Sequence, residues 1–258
     1  GGVYALALAG SRLFVGGAFT KVGDDPHDNL AAVDIVTGLP HPWSASTNSG
    51  VWSLLIDGNR VIAGGYFTSA GGQSRNRIAA FDLSSGSITD WNPSADAPVL
   101  ALASQGDTLF VGGRFRTIAG TGRRYLAAFN RLSGALLAWD AQIDRIPDFP
   151  YDTGRAIQAI IIRDSTLYIG GMFNRIGSAR RQGLAAVSIH SALATAWNPR
   201  AIQEFAPAFV LAMALEGQAL FVAGSFDSLG GLPGKYVGAV DINTGAALPW
   251  RPDPNNGI

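Results

Sequence analysis

Ile78–Pro93 reads IAAFDLSSGSITDWNP: an apolar strand, an Asp-x-x-Ser-Gly turn, a second short apolar segment and a tryptophan. The pattern recurs at Leu30–Trp43, Leu126–Trp139, Leu184–Trp197 and Val237–Trp250, and each Trp stands thirteen residues after the first apolar residue. A recurrence this regular marks a repeat architecture, in which residues are repeated mostly for packing.

Working outward, each unit opens on an apolar inner strand, at Val3–Ala9, Val51–Ile56, Val99–Ser104, Ile157–Ile162 and Val210–Leu215. The turn signals that follow within a few residues favour strand over helix. A second strand ends in a glycine pair and an aromatic, at Leu13–Phe19, Val61–Phe67, Leu109–Phe115, Leu167–Phe173 and Leu220–Phe226, the last with Ala223-Gly224. Glycine inside a strand implies a bulge or a close neighbour, and a Trp is the expected neighbour. The third strand carries the L-A-A-F-D pattern, and the Asp or Asn of its turn accepts backbone N–H groups ahead of a Gly at positive φ. Unit four has Ser188 and Ala192 there, which predicts the least rigid turn.

Equivalent glycine-pair positions lie 48, 48, 58 and 53 residues apart, as do the Trp residues, so the extra length follows the Trp. Four antiparallel strands per unit of about 50 residues predict an all-β chain, a β-propeller with five four-stranded blades. The blades fall at about 3–50, 51–98, 99–156, 157–209 and 210–258 of one array. Aligning Trp43–Val51 with Trp250–Ile258 puts Ile258 on the first residue of a sixth inner strand. The expectation is a window from a propeller of six to eight blades, the alternative a closed ring of five.

The combined signature, G-G-x-F-T followed by x-x-G, then L-A-A-F-D and W-N-P, resembles the bacterial delta-sixty repeat propellers of unknown function, across all five repeats. The D-x-x-T-G-x-x-x-x-W part is also similar to the blade motif of the pyrroloquinoline quinone dehydrogenases, with the Gly-to-Trp spacing one residue longer here. That likeness implies Trp docking between blades, while the calcium-bound quinone and catalytic Asp of those enzymes cannot be placed on this chain.

The 19 basic and 19 acidic residues cancel, which speaks against nucleic acid or an anionic membrane as partner. No cysteine is present, so disulfides, thiolate metal sites and cysteine nucleophiles are excluded. No run approaches a membrane span. No cofactor or metal is expected. Asp24, Asp25 and Asp28 lack the calcium-loop spacing, and His27, His41 and His190 form no H-x-x-x-H pattern.

Chemistry is expected on the loops that join strands two and three and the loops that follow each Trp, which a propeller opens on one face. The former carry Asp24, Asp25, His27 and Asp28, then Arg75 and Arg77, then Arg123, Arg124 and Tyr125, then Arg180 and Arg181, and finally Lys235 and Tyr236. Such arginines offer bidentate donors to an anion, or serve as scaffold. The insertion from Asp140 to Ala156 breaks the period and mixes acids with apolar residues, so it is the leading binding element. Its candidate residues are Asp140, Asp144, Arg145, Asp148, Phe149, Tyr151 and Asp152, joined by Arg123, Arg124, Tyr125, Arg180 and Arg181. The reading is a non-catalytic scaffold or binding module, extracellular or at the cell surface, recognising a protein or glycan. The alternative is a carbohydrate-active enzyme, a glycoside hydrolase or lyase, whose paired carboxylates would come from Asp96, Glu204 and the insertion. A third reading is an architectural repeat that meets only neighbouring blades or domains of a longer chain.

Overall fold

The computed structural model describes residues 1–144, 157–204 and 208–250, together with 252 and 254. Every regular element among the described residues is a β-strand, and every named pairing is antiparallel. The chain divides into two compact units: residues 1–123 with 127–137, and residues 124–126 with 138–258.

Each repeat is a sheet of inner, second and third strand. In repeat two these are Val51–Asp57, Arg60–Gly65 and Ile78–Asp82. The expected fourth strand forms fully only in repeat one, where Pro40–His41 pairs with the third strand. In repeats two to five it shrinks to one bridge each: Phe81 with Ile88, Phe129 with Leu136, Val187 with Ala194 and Val240 with Ala247. In repeats two to four the carbonyl two residues before the Trp, that of Thr89, Leu137 or Thr195, accepts an arginine side chain instead of a third-strand N–H.

The third strands bury almost completely, as in Leu30, Ala31 and Ala32 or Ile78, Ala79 and Ala80. Two alanines in a row let adjacent sheets approach closely, and phenylalanines and valines fill the remaining layers. Within the first unit the core runs through Phe14, Trp43, Phe67, Phe81, Phe115 and Phe129; within the second it gathers on Leu184, Trp197, Val210, Val222 and Phe226.

Four of the five repeat tryptophans lock one repeat to the next. The indole N–H of Trp43 donates to the carbonyl of Asp82 at 3.0 Å, Trp91 to Gly134 at 3.0 Å, Trp139 to Ser188 at 3.3 Å and Trp197 to Asp241 at 3.1 Å. In each case the acceptor belongs to the Asp-x-x-Ser/Thr-Gly turn or its equivalent one repeat on. Trp250 packs edge-on against Phe221 of its own repeat and is 47% exposed.

The glycine pair has two separate reasons, neither of them the expected Trp. A Cβ on Gly16 would lie 2.7 Å from Cγ1 of Val51, one on Gly64 2.5 Å from Cγ1 of Val99, and one on Gly170 2.5 Å from Cγ1 of Val210. The neighbour is therefore the first β-branched residue of the next inner strand, which seats in the groove the glycine leaves. The second glycine, at Gly17, Gly65 and Gly113, faces a carbonyl at the start of its own inner strand. There the inner strand bulges, between Val3 and Ala5, Val51 and Ser53, and Val99 and Ala101.

The turns behave as the sequence predicts. Asp82 Oδ1 accepts the N–H groups of Ser84 and Ser85 and the Ser85 hydroxyl, at 2.8–3.0 Å. Asp34, Asn130 and Asp241 do the same. In repeat four Ser188 Oγ accepts at 3.3 and 3.2 Å, and Ala192 holds the left-handed φ of 61° that a glycine holds elsewhere. One lock was not read from the sequence: buried Asp57 pairs with Arg60 in its own repeat and Arg131 in the next.

Candidate functional site

The loops between second and third strands fold as two-residue hairpins, such as Ser69–Ala70 with Gln73–Ser74. Each loop that follows a Trp lies against the hairpin of the next repeat, through Thr47 with Ala70, Ala95 with Ile118, Ile143 with Ile176 and Ala201 with Leu229. Within each unit both loop classes thus meet at the same end of the strands.

Most charges at this end hold the scaffold. Arg75 Nη2 donates to the carbonyl of Thr89 at 2.8 Å and to Gln73 Oε1 at 2.9 Å. Arg123 Nη2 reaches Leu137 O at 3.5 Å and Arg181 Nη2 reaches Thr195 O at 2.5 Å, each fourteen residues further on. These arginines cap the carbonyl of the short fourth segment. Asp96 Oδ1 accepts the N–H groups of Arg116 and Thr117, the role that Asn48 Oδ1 plays for Thr68 and Ser69. Asp140 Oδ1 accepts the N–H of Gln142, and Asp227 accepts that of Glu204.

Arg124 and Asp144 form an exposed ion pair at 3.2 Å, which joins the rim to the start of the insertion. Such a pair contributes little stability. Tyr125 is nearly buried at a φ of 69°, and Arg180 lies exposed in the hairpin of repeat four. Arg145, Asp148, Phe149, Tyr151 and Asp152 lie outside the described residues. Among the described residues no cluster of three His, Asp or Glu side chains could hold a metal ion.

Among the described residues three carboxylates are shifted, all in turns. Backbone N–H groups, Thr37 first for Asp34, Ser85 for Asp82 and Thr244 for Asp241, hold these carboxyls below their ordinary value of 3.8. All three sit in the hairpins that join third strand to fourth segment.

A different group stands out at the loop-bearing end of the first unit. The bulges at the start of the first two inner strands carry Tyr4 and Trp52, whose rings stack at 4.4 Å and 22°. Trp52 meets Tyr66 at 5.6 Å, and the Arg114 guanidinium lies over Tyr66 at 5.7 Å. Tyr4 is 46% exposed and Trp52 41%. The cause is the bulge, which turns a side chain out of the sheet, while Gly17 and Gly65 admit the displaced backbone. Arg77 bonds the carbonyl of Tyr66 and steadies the row from behind. Rigid amphipathic rings held partly exposed are common anchors for ligands.

Residues 59–88, which span the second strand and turn of repeat two, match a family described as a β-propeller domain of unknown function. No curated protein matches the chain. Among solved structures, the computationally designed Ika8 protein aligns with 95% of this chain and 60% of its own, at 16% identity and a TM-score of 0.52. The extracellular domain of a protein described as a one component system of B. thetaiotaomicron aligns with 95% of this chain, at 17% identity and a TM-score of 0.56. The chain spans only 27% of that protein. At such identities the likeness concerns fold.

Proposed function

We propose that this chain is a non-catalytic binding module, a propeller array whose loop-bearing end recognises a glycan. The observation that carries the reading is the row Tyr4, Trp52 and Tyr66 with Arg114, which offers flat rings to the apolar face of a sugar and guanidinium donors to its hydroxyl groups. Pooled neutral charge favours such a ligand over nucleic acid. The insertion after Asp140, entered through the Arg124–Asp144 pair, supplies a second contact region. The likeness to an extracellular domain agrees with a place outside the cell or at its surface.

The engagement of rim carboxylates weighs against hydrolysis. A glycoside hydrolase needs two carboxyl groups facing one another across a cleft. Asp96 and Asp140 instead accept backbone N–H groups, and Asp144 faces Arg124. Probing the whole chain against arrayed glycans and peptides tests the reading. Glycan binding that Trp52→Ala removes supports it; peptide binding alone would replace the glycan by a protein, and release of sugar from a bound glycan would restore the enzyme.

A further inference from the structure

The arginines that cap the fourth segment in repeats two to four have a counterpart in repeat one, and it is a histidine. The backbone N–H of Arg75 donates to Thr68 O at 3.0 Å, that of Arg123 to Arg116 O at 3.0 Å and that of Arg181 to Asn174 O at 3.0 Å. The N–H of His27 donates to Thr20 O at 2.9 Å in the same place. Its side chain is shorter and carries no guanidinium, and beside it lies a groove of about 420 Å³. Asp25, His27, Pro40, His41, Pro42 and Trp43 line the groove.

One of the two acceptors that hold the arginine in repeat two has an open counterpart here. Gln73, two residues before Arg75, supplies one oxygen to Nη2, and the carbonyl of Thr89 supplies the other. Two residues before His27 stands Asp25, a carboxylate and therefore a stronger partner for a cation. His41 occupies the place of Thr89, but its carbonyl already accepts the Trp43 N–H at 2.7 Å and the residue pairs with Ala32 across the sheet. Nδ1 of His41 is buried with no hydrogen-bond partner among the described residues. Asp24 and Asp28 in the same loop add negative charge, and Lys21, across the hairpin, is not among the lining residues. Repeat five also lacks the arginine, having Gly234, but Leu232 stands there in place of Asp25 and Lys235 follows.

We propose that this groove takes the guanidinium group of an arginine side chain from a partner protein, seated where the chain's own arginines sit in the next three repeats. Asp25 would receive it bidentately, and the Trp43 side would shield the stem. The site is separate from the aromatic row, so either proposal can fail alone.

The test uses N-acetyl-arginine amide as probe and amide and indole NMR shifts of the whole chain as readout. Saturable shifts at His41 and Trp43 are expected, with the lysine analogue at least fivefold weaker. Asp25→Asn should weaken the probe at least fivefold. His27→Arg should abolish its binding and raise the melting temperature by roughly 2 °C, because the new side chain fills the groove as Arg75 does. Absence of saturable shifts, or equal binding by Asp25→Asn, would overturn the proposal. Were His27→Arg not to fold, Asp25→Asn alone decides.

Discussion

The indole N–H of Trp43 and the backbone carbonyl of Asp82, one repeat apart, share a 3.0 Å hydrogen bond, and the ring lies edge-on between Phe14 and Phe81. One side chain thus joins the cores of two sheets and satisfies a polar atom in the next turn. Trp43→Ala should cost about 3–5 kcal/mol, measured by denaturant unfolding. Trp43→Phe should cost less, since the ring contacts survive while the hydrogen bond to Asp82 is lost.

Gly64 and Val99 form a knob and a groove, with a Cβ on Gly64 placed 2.5 Å from Cγ1 of Val99. Gly64→Ala should destabilise by about 1–3 kcal/mol through overpacking. Ser53 Oγ lies at the same 2.5 Å, so adding Val99→Ala should recover only part of that loss, with the double variant still more stable than the two single effects summed. Gly65→Ala admits no such rescue, because its neighbour is the backbone carbonyl of Gly50. Unfolding free energies of the four variants check this directly.

Acid stability follows from the turns. The carboxyls of Asp34, Asp82 and Asp241 are lowered from 3.8 in the fold, chiefly by backbone hydrogen bonds. A lowered folded value means stability that is present above the unfolded value and is lost as pH falls through the folded one. Melting temperature should therefore drop as pH falls below about 4. Replacing all three by Asn should flatten that limb, as Asn130 already shows the same hydrogen bonds with no titrating group. An unchanged slope in the triple variant would assign acid loss to other groups.

The period, the turn chemistry and the inter-repeat tryptophans were legible in the sequence because each rests on one residue type at a fixed spacing. The partner of the glycine pair was not. Spacing shows that Gly64 faces bulk, but only the stacking of sheets reveals that Val99 supplies it. The left-handed kink that enters each third strand is occupied by Asn29, Arg77, Tyr125, Gly183 and Tyr236, a set with no common propensity to read. The aromatic row escaped for a related reason. Tyr4 and Trp52 share a repeat position with Leu100 and Leu211, and a bulge breaks the two-residue alternation by which exposed strand positions are recognised. In the sequence His27 is a loop residue among acids, and only the backbone bond it has in common with Arg75 relates it to the capping arginines.

The central claim is that the aromatic row binds the ligand, and its most direct measurement is the affinity of the best arrayed glycan for three proteins. These are the unaltered chain, Trp52→Ala, and a chain with residues 141–155 shortened to the length of the repeat-two loop. Trp52 is 41% exposed, so its loss should cost less than that of the buried Trp43, and the melting of each protein is recorded beside its affinity. The account predicts at least tenfold weaker binding by Trp52→Ala, about 1.4 kcal/mol, with a smaller effect of the shortened loop. Full affinity in Trp52→Ala together with loss of binding in the shortened chain would contradict it and place the site on the insertion.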